Sequence, residues 1–390
     1  MIKPVVDSTV DVAIVGGGPG GCWAAKECAD RGLETVLFEK DPDIGAPVRC
    51  AEGVGVMGLK EFYEPDPLFV RQTLSNYLLV APDGSSVKVC GEDHGYVLDR
   101  KVFDKKVAED AAAAGARIVT DAHVNGAHRR DDRYVLELAG GDLVEARLVI
   151  GADGTESRVG RWWGLKTDAP PHDMESGAQY LLGNLDVDED LCQIWFGSNV
   201  APGGYFWVFP KGNRTANVGL GISGQYSRDN NPFEFLDRMI ATHFPNASRL
   251  GRMMGGISCT GGVKDFVADG LMLVGDAAHQ ANPLTGGGII NAMKAARIAA
   301  GVAEEAIRSG DTSKKVLKKY QSEWDSSWGK TGRRYYRLKE WVFGLPDERI
   351  NAISKLINGL EPDQRTLRQI FKAAAINQPR LLLDVARLAF

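Results

Sequence analysis

Apolar positions along the chain follow two rhythms, and the change between them marks the expected elements. Residues 10–15 (VDVAIV) form a short, nearly unbroken apolar run, the pattern of a strand buried on both faces of a parallel sheet. Residues 16–21 (GGGPGG) follow at once. From 22 to 31 alanine and apolar residues take helical spacing and stop at Gly32. Residues 35–38 predict a second buried strand, ending at Glu39. The result is a strand–turn–helix–strand unit. Between 41 and 58 periodicity is lost in a stretch rich in Gly and Pro, too long for a connector, which predicts a functional loop. Residues 76–81 and 87–90 flank the turn Pro82-Asp83-Gly84 and predict a hairpin. A helix is expected over 99–115, with strands at 117–120, 134–138 and 143–150. From about 170 to 264 the rhythm becomes alternating and aromatic-rich, clearest at 193–196 and 205–209, as in an antiparallel sheet; a helix over 232–243 interrupts it. Residues 270–274 (GLMLV) again look like a buried strand, a helix follows from about 288 to 309, and 312–390 is almost all helical pattern.

This alternation predicts an α/β fold class with an α+β second domain. A Rossmann-like dinucleotide-binding domain is expected from 1–60, 98–169 and 265–320. An antiparallel-sheet substrate domain is expected from 61–97 and 170–264, and a helical C-terminal domain from 321–390.

Composition narrows the class. Of 390 residues 44% are hydrophobic and 25% charged, as in a water-soluble folded chain, and the net charge of −5 argues against nucleic-acid binding. No apolar run reaches the roughly 18 residues of a spanning helix. The first eleven residues carry two Asp and no basic-then-apolar signal, so a cytoplasmic location is expected. The six cysteines form no C-x-x-C pair and no metal-ligand cluster, so reduced thiols and no metal are expected. Charge is uneven. Residues 330–390 hold 12 Lys/Arg against 6 Asp/Glu, a local +6 that leaves −11 for the rest.

Gly16, Gly18 and Gly21 fit G-x-G-x-x-G after a strand and at the start of a helix, and Glu39 lies 21 positions beyond Gly18. The first Gly permits the turn, the second lets backbone approach a pyrophosphate, and the third lets helix and strand pack closely; the acid can accept ribose hydroxyls. A second signal favours FAD over NAD. Residues 273–279 (LVGDAAH) bring Asp276 to a turn, and Gly286, Gly287 and Gly288 open the next helix. An Asp there can hold a ribityl hydroxyl, and the helix dipole can favour negative charge on a reduced flavin ring.

These two motifs, with Gly151-Ala152-Asp153-Gly154 followed by Ser157 and Arg158, and Arg100 with Phe103-Asp104, resemble the p-hydroxybenzoate hydroxylase type of FAD protein. Residues 202–210 (PGGYFWVFP) match P-x-x-Y-x-W-x-F-P, and 47–53 (PVRCAEG) resemble the P-x-R-C-G/A-E-G loop; both are similar to the geranylgeranyl reductase family, whose archaeal branch saturates the chains of ether (phospho)lipids. The resemblance covers residues 10 to about 300. It implies FAD contacts at Gly16, Gly18, Gly20, Gly21, Glu39, Lys40, Arg49, Cys50, Ala51, Gly53, Arg100, Val124, Asp153, Asp276, Pro283, Gly286, Gly287, Gly288 and Ile289. It gives His279 a scaffold role.

Within the 205–209 strand Tyr205, Trp207 and Phe209 point to one face at period two. That face is either a wall for an isoprenoid chain or an ordinary core face. Cys50, the one catalytic candidate, has Arg49 beside it to favour a thiolate; a packed loop cysteine is the other reading. The expected reaction is hydride transfer from reduced flavin to one carbon of an isolated C=C bond, with a proton to the other carbon. Cys50, Tyr205 or water are candidate donors of that proton. NADPH, a ferredoxin or another soluble reductant is expected to supply electrons. Lys330, Arg333, Arg334, Arg337 and Lys339, interleaved with Tyr335, Tyr336 and Trp341, suit either a peripheral contact with an anionic membrane or a solvated helix face. Rival readings are an FAD monooxygenase of the aromatic-hydroxylase type, a halogenase, a quinone-reducing flavoprotein dehydrogenase and a non-catalytic FAD-containing prenyl-binding protein.

Overall fold

The computed structural model describes residues 9–89, 95–376 and 379–387. The chain divides into two compact units, one of Met1–Val48, Arg100–Asp168 and Thr260–Arg333, the other of Arg49–Asp99, Ala169–Cys259 and Arg334–Phe390.

The first unit is built on an eight-stranded sheet. Thr9–Val15 lies between Thr35–Phe38 and Leu143–Gly151, parallel to both, with Val12 opposite Thr35 on one side and Leu148 on the other. Arg117–Val119 and Leu271–Leu273 extend the parallel part. Val12, Ala13 and Ile14 are fully buried, as a strand covered on both faces requires. The order of connection reverses at Thr9–Val15, and in such sheets ligands sit beyond the carboxyl ends of the strands at that point. Helices Pro19–Asp30, Arg100–Ala113 and Ile289–Ser309 belong to the same unit. Two glycines are forced where helix Pro19–Asp30 begins. A Cβ on Gly21 would lie 1.9 Å from the Gly16 carbonyl oxygen, and one on Gly16, at φ +106°, 2.3 Å from the Ala152 oxygen.

The second unit carries a seven-stranded sheet, in order Ser248–Ser258, Met174–Gly183, Thr215–Ser223, Tyr205–Gly212, Leu191–Trp195, Asn76–Val80, Ser86–Val89. Every pairing is antiparallel except that of Leu191–Trp195 with Asn76–Val80. One face buries Ala178, Tyr180, Phe206, Val208, Val218 and Leu220 beneath helix Pro232–His243, which contributes Phe233, Leu236, Met239 and Ile240. At roughly 1.5–3 kcal/mol for each large side chain removed from water, this is the unit's main source of stability. A small sheet of Gly53–Gly55, Gly95–Leu98 and Val70–Leu74 stands beside it in sequence. Helices Asp347–Asn358 and Leu367–Ala374 pack Ile353, Ile357 and Ala374 against Val87 and Val89.

The two units differ from the expected partition in three respects: residues 321–333, expected in a separate C-terminal domain, group with the first unit. The loop from Arg49 onward groups with the second unit, and 334–390 groups there too instead of standing alone, because its apolar faces close the end of the seven-stranded sheet. The expected hairpin is present as Asn76–Val80 with Ser86–Val89; its last expected residue, Cys90, lies outside the described residues.

Candidate functional site

In the first unit the carboxyl end of Thr9–Val15 delivers the glycine turn. Gly18 caps helix Pro19–Asp30 without any side-chain bond, and a Cβ there would meet nothing within 4 Å, so the helix start is open beside Gly18. Such an end attracts phosphate. Gly20 and Gly21 are buried in the first turn. Glu39 is fixed at the next strand's end, accepting bonds from the amides of Gly17 at 2.6 Å and Asp41 at 2.9 Å. Lys40 next to it is exposed. Arg100 forms a bidentate pair with Asp104, at 2.6 and 2.7 Å, and Val124 is buried at the start of its strand.

Asp153 serves its own turn, accepting from the Ser157 hydroxyl at 2.8 Å and the Val159 amide at 3.0 Å, while burial raises its carboxyl pKa. Asp276 stands in the turn Gly275–Ala278 and is exposed by surface area; the protein around it still raises its pKa by desolvation, opposed by His279 and Arg100. Gly288 makes room for it, since a Cβ there would lie 3.2 Å from Asp276 Oδ1. Gly288 also caps helix Ile289–Ser309 without a side-chain bond; Gly286 sits at φ +69° and Pro283 is buried. His279 is buried and its Nε2 lies 2.7 Å from the Thr167 carbonyl oxygen, which is a scaffold contact.

In the second unit Tyr205, Trp207 and Phe209 do share a face, and it is the one opposite the core. Their ladder partners are Gly221, Gly219 and Asn217. Beyond these lie Gly177 and Gln179, and then Gly255 opposite Gly177. Directly opposed residues in a ladder point the same way. Gly177, Gly219, Gly221 and Gly255 therefore form a glycine floor that makes room for its neighbours: the Trp207 indole lies over Gly219 and the Glu175 carboxyl over Gly221. Tyr205 and Trp207 stand 5.8 Å apart between ring centroids, Trp207 and Phe209 6.4 Å. Phe196 and Phe343 extend the row around Tyr205, at 6.5 and 6.4 Å. The aromatic row is the apolar wall of a trough whose floor carries the Glu175 carboxyl and the Gln179 amide, and a long flexible hydrocarbon can pack on that wall.

The loop holding Cys50 is fixed by polar bonds. Gln179 accepts from Trp207 Nε1 at 2.9 Å and donates to the Cys50 carbonyl oxygen at 3.3 Å. The Cys50 amide points to Met253 Sδ at 3.0 Å, and the Glu52 amide donates to Cys50 Sγ at 3.2 Å. Glu52 is buried at φ +72°, a backbone conformation costing about 1–3 kcal/mol unless its surroundings impose it. They do so here: Lys211 ion-pairs with its carboxylate, and Asn217 Nδ2 donates to Glu52 Oε2 at 2.6 Å and to the Ala51 carbonyl at 3.1 Å. Arg49 is exposed, and Ala51 and Gly53 are half-buried; a Cβ on Gly53 would lie 3.0 Å from the Phe209 ring.

The basic C-terminal stretch is not a free surface. Lys339 is buried and bonds Asp173 at 2.9 Å and Glu340 at 2.7 Å. Arg337 pairs with Asp384 at 2.7 Å, and Arg333 with Asp325 at 3.0 Å. Tyr336 donates to Asp173, Trp341 to the Ala374 carbonyl, and Tyr335 is buried. Much of the positive charge of residues 333–339 is thus paired within the fold. No described helix is long and apolar enough to cross a membrane.

Residues 173–257, which span the trough strands, match the family described as geranylgeranyl reductase catalytic domain, and 11–185 match one described as lycopene cyclase protein. A digeranylgeranylglycerophospholipid reductase of Methanothrix thermoacetophila is 41% identical over 97% of this chain and 99% of its own length. One of Methanocella arvoryzae is 40% identical over 98% and 99%. The chain belongs to the digeranylgeranylglycerophospholipid reductase family. Among solved structures a geranylgeranyl bacteriochlorophyll reductase-like protein of Thermoplasma acidophilum superposes with a TM-score of 0.90 at 35% identity, over 98% of this chain and 100% of its own. The flavin-dependent brominase Bmp2, at TM-score 0.71 and 16% identity over 98% of this chain and 100% of its own, shares the fold alone.

Reductase membership directs attention to groups the sequence motifs did not single out. Gln179, Glu52, Lys211 and Asn217 hold the Cys50 loop and the trough, and Glu175 lies on the trough face. Gln179, Lys211, Asn217 and Glu175 stand in strand positions where a lone polar residue reads as solvent-facing. Only Glu52, inside the 47–53 loop, carried a local signal.

Proposed function

We propose that this chain is an FAD-dependent oxidoreductase that saturates isolated C=C bonds of geranylgeranyl chains in archaeal ether phospholipid synthesis. The observation that carries the reading is the glycine-floored trough with Tyr205, Trp207 and Phe209 along its side, in a chain 41% identical over 97% of its length to a relative named for that reaction.

The residues present fit the cofactor. Two helix N-termini lack side-chain caps, Gly18 leaves space where a pyrophosphate would approach, and Gly288 leaves space for the Asp276 carboxyl. Gly16, Gly18, Gly20, Gly21, Glu39 and Lys40 would hold the adenosine diphosphate part. Asp276, Pro283, Gly286, Gly287, Gly288 and Ile289 would hold the flavin part, with Arg100, Val124 and Asp153 as further contacts. Arg49, Cys50, Ala51 and Gly53 would contribute from their loop. FAD, when bound and reduced, supplies the hydride. The protein's share is to exclude water, to fix the alkene on the aromatic wall and to deliver a proton. Cys50, with its thiol accepting the Glu52 amide, would position the loop beside the reacting bond.

Reducing power would come from a soluble donor such as NADPH or a ferredoxin, and the lipid substrate implies work at the cytoplasmic face of a membrane. Anaerobically reduced protein mixed with a geranylgeranyl ether lipid should lose its reduced-flavin spectrum, and the recovered lipid should gain hydrogen by mass spectrometry. Lipid of unchanged mass would reject the reductase reading.

A further inference from the structure

Glu175 has no part in the reading above, yet it stands on the trough face and is 5% exposed. Glycine makes room for its carboxyl. A Cβ at Gly221, the ladder partner of Tyr205, would lie 2.2 Å from Glu175 Oε2; one at Gly204 would lie 3.3 Å from Glu175 Cδ. The carboxyl therefore lies over the residue paired with Tyr205. Four groups face it from the surrounding elements. Cys259 hydrogen-bonds it, and Lys339 acts on it through its charge. Tyr205 feels its charge in turn. Ser223, its direct ladder partner, has a buried hydroxyl with no bonding partner among the described residues. Asp173, Glu340 and Tyr336 surround Lys339.

Burial raises the Glu175 carboxyl to about 7, against the opposing pull of Cys259 and Lys339. It therefore keeps its proton below neutrality and exchanges it around pH 7. Burial also drives the Tyr205 phenol well above its ordinary value, with the Glu175 charge adding to the effect. A phenol in that setting is a poor donor by itself, because it would leave an anion unsolvated beside a carboxyl.

We propose that Glu175 is the proton reserve of the reduction, passing its proton to Tyr205 while the Tyr205 hydroxyl gives its own to the alkene carbon. This rests on the reductase reading and names the proton source within it. The C=C π bond breaks. One carbon takes hydride with the electron pair from the reduced cofactor, and the other forms its C–H bond with the Tyr205 proton. The Tyr205 O–H is re-formed with the proton of Glu175. The negative charge ends on the Glu175 carboxylate, close to Lys339, and a solvent proton restores the acid before the next turnover. Glu175 acts through Tyr205 and is a positioning residue for its proton; Tyr205, on the wall, is the donor.

The test compares full-length wild type with Glu175→Gln, Glu175→Asp and Tyr205→Phe. Infrared titration should show a protonated carboxyl band in wild type that disappears near neutrality and is missing in Glu175→Gln; this reads the proton store without any turnover. In single-turnover reoxidation by geranylgeranyl lipid, Glu175→Gln and Tyr205→Phe should each slow the step about 100-fold, the usual worth of a general acid. KM should stay nearly constant. Glu175→Gln should also remove the fall in rate above neutral pH, and Glu175→Asp should restore part of it. A Glu175→Gln protein with wild-type rate and pH profile, or with an unchanged carboxyl band, overturns the proposal while leaving the reductase standing. Wild-type protein that leaves the lipid unreduced overturns both.

Discussion

Gly219 shows how much a single position without a side chain controls. A Cβ there would fall 2.6 Å from Trp207 Cζ2 and 2.6 Å from the Ala178 carbonyl oxygen. The backbone side cannot yield, so Gly219→Ala must tilt the indole and break its 2.9 Å bond to Gln179, which in turn holds the Cys50 carbonyl. Overpacking of this kind costs about 1–3 kcal/mol in stability. The larger effect should be on the lipid: displacing the central ring of the wall should lower kcat/KM about 10-fold, or about 1.4 kcal/mol. Flavin content should be retained, since the glycine motifs at 16–21 and 286–288 are untouched. Steady-state kinetics with the flavin absorbance as control checks this, and an unaltered kcat/KM would remove Trp207 from the substrate wall. A glycine's purpose depends on what lies across the ladder, so neither the floor nor Gly219's part in it was legible in the sequence. The aromatic row was, because its residues repeat at period two within one strand.

Elements were legible where burial imposed a period. The strand expected at 10–15 is observed as Thr9–Val15, and the helix expected at 232–243 as Pro232–His243. The strands Val124–Arg130 (VNGAHRR) and Ser248–Ser258 (SRLGRMMGGIS) escaped notice because most of their residues are exposed and charge or glycine erases the alternation. The C-terminal helices teach a different lesson. Their charge was visible, its spending was not: Arg334 and Arg337 both turn to Asp384 inside the unit. The exposed residues of this segment include the cations Lys355, Arg368, Lys372, Arg380 and Arg387 and the acids Glu340, Glu348, Glu361 and Asp363, with Leu356, Ile376 and Leu383 each more than half exposed. Basic and apolar groups side by side suit an anionic bilayer, at about 1 kcal/mol for each cation near the surface. Replacing Lys372, Arg380 and Arg387 together by Gln should weaken sedimentation with vesicles containing anionic lipid about 100-fold in partition coefficient. Arg337→Gln should instead lower Tm, through loss of the Asp384 pair, and leave partition intact. Equal partition of all three proteins would place any membrane contact elsewhere.

At the scale of the whole molecule, each unit is assembled from three separate stretches of chain, which composition could not reveal and buried-strand patterns only partly did. Folding such a chain places a carboxyl like Glu175 where no local sequence signal anticipates it, and global stability should report that placement. Burial raises the Glu175 carboxyl from an ordinary 4.5 to about 7. The unfolded chain releases this proton near 4.5, whereas the folded protein keeps it to about 7, so between those values the folded state binds more protons. Its stabilising contribution is therefore fully present below about pH 4.5 and is lost as the pH rises through about 7. The size is on the order of 3 kcal/mol, since each pKa unit is worth about 1.4 kcal/mol. Asp153 and Asp276, also raised by burial, act in the same direction. Asp83 and Asp311, lowered by bonds to Ser85 and Ser313, act in the opposite one, but only in acid, below the range of that measurement. The wild-type curve alone is thus a sum, and the difference from Glu175→Gln isolates the one group. Denaturant midpoints taken from about pH 5 to about pH 8 should fall more steeply for wild type than for Glu175→Gln, with most of the divergence complete by neutrality. Parallel curves would mean that Glu175 is ionised throughout, and the trough would then carry a fixed negative charge beside Tyr205 where the proposed chemistry needs a held proton.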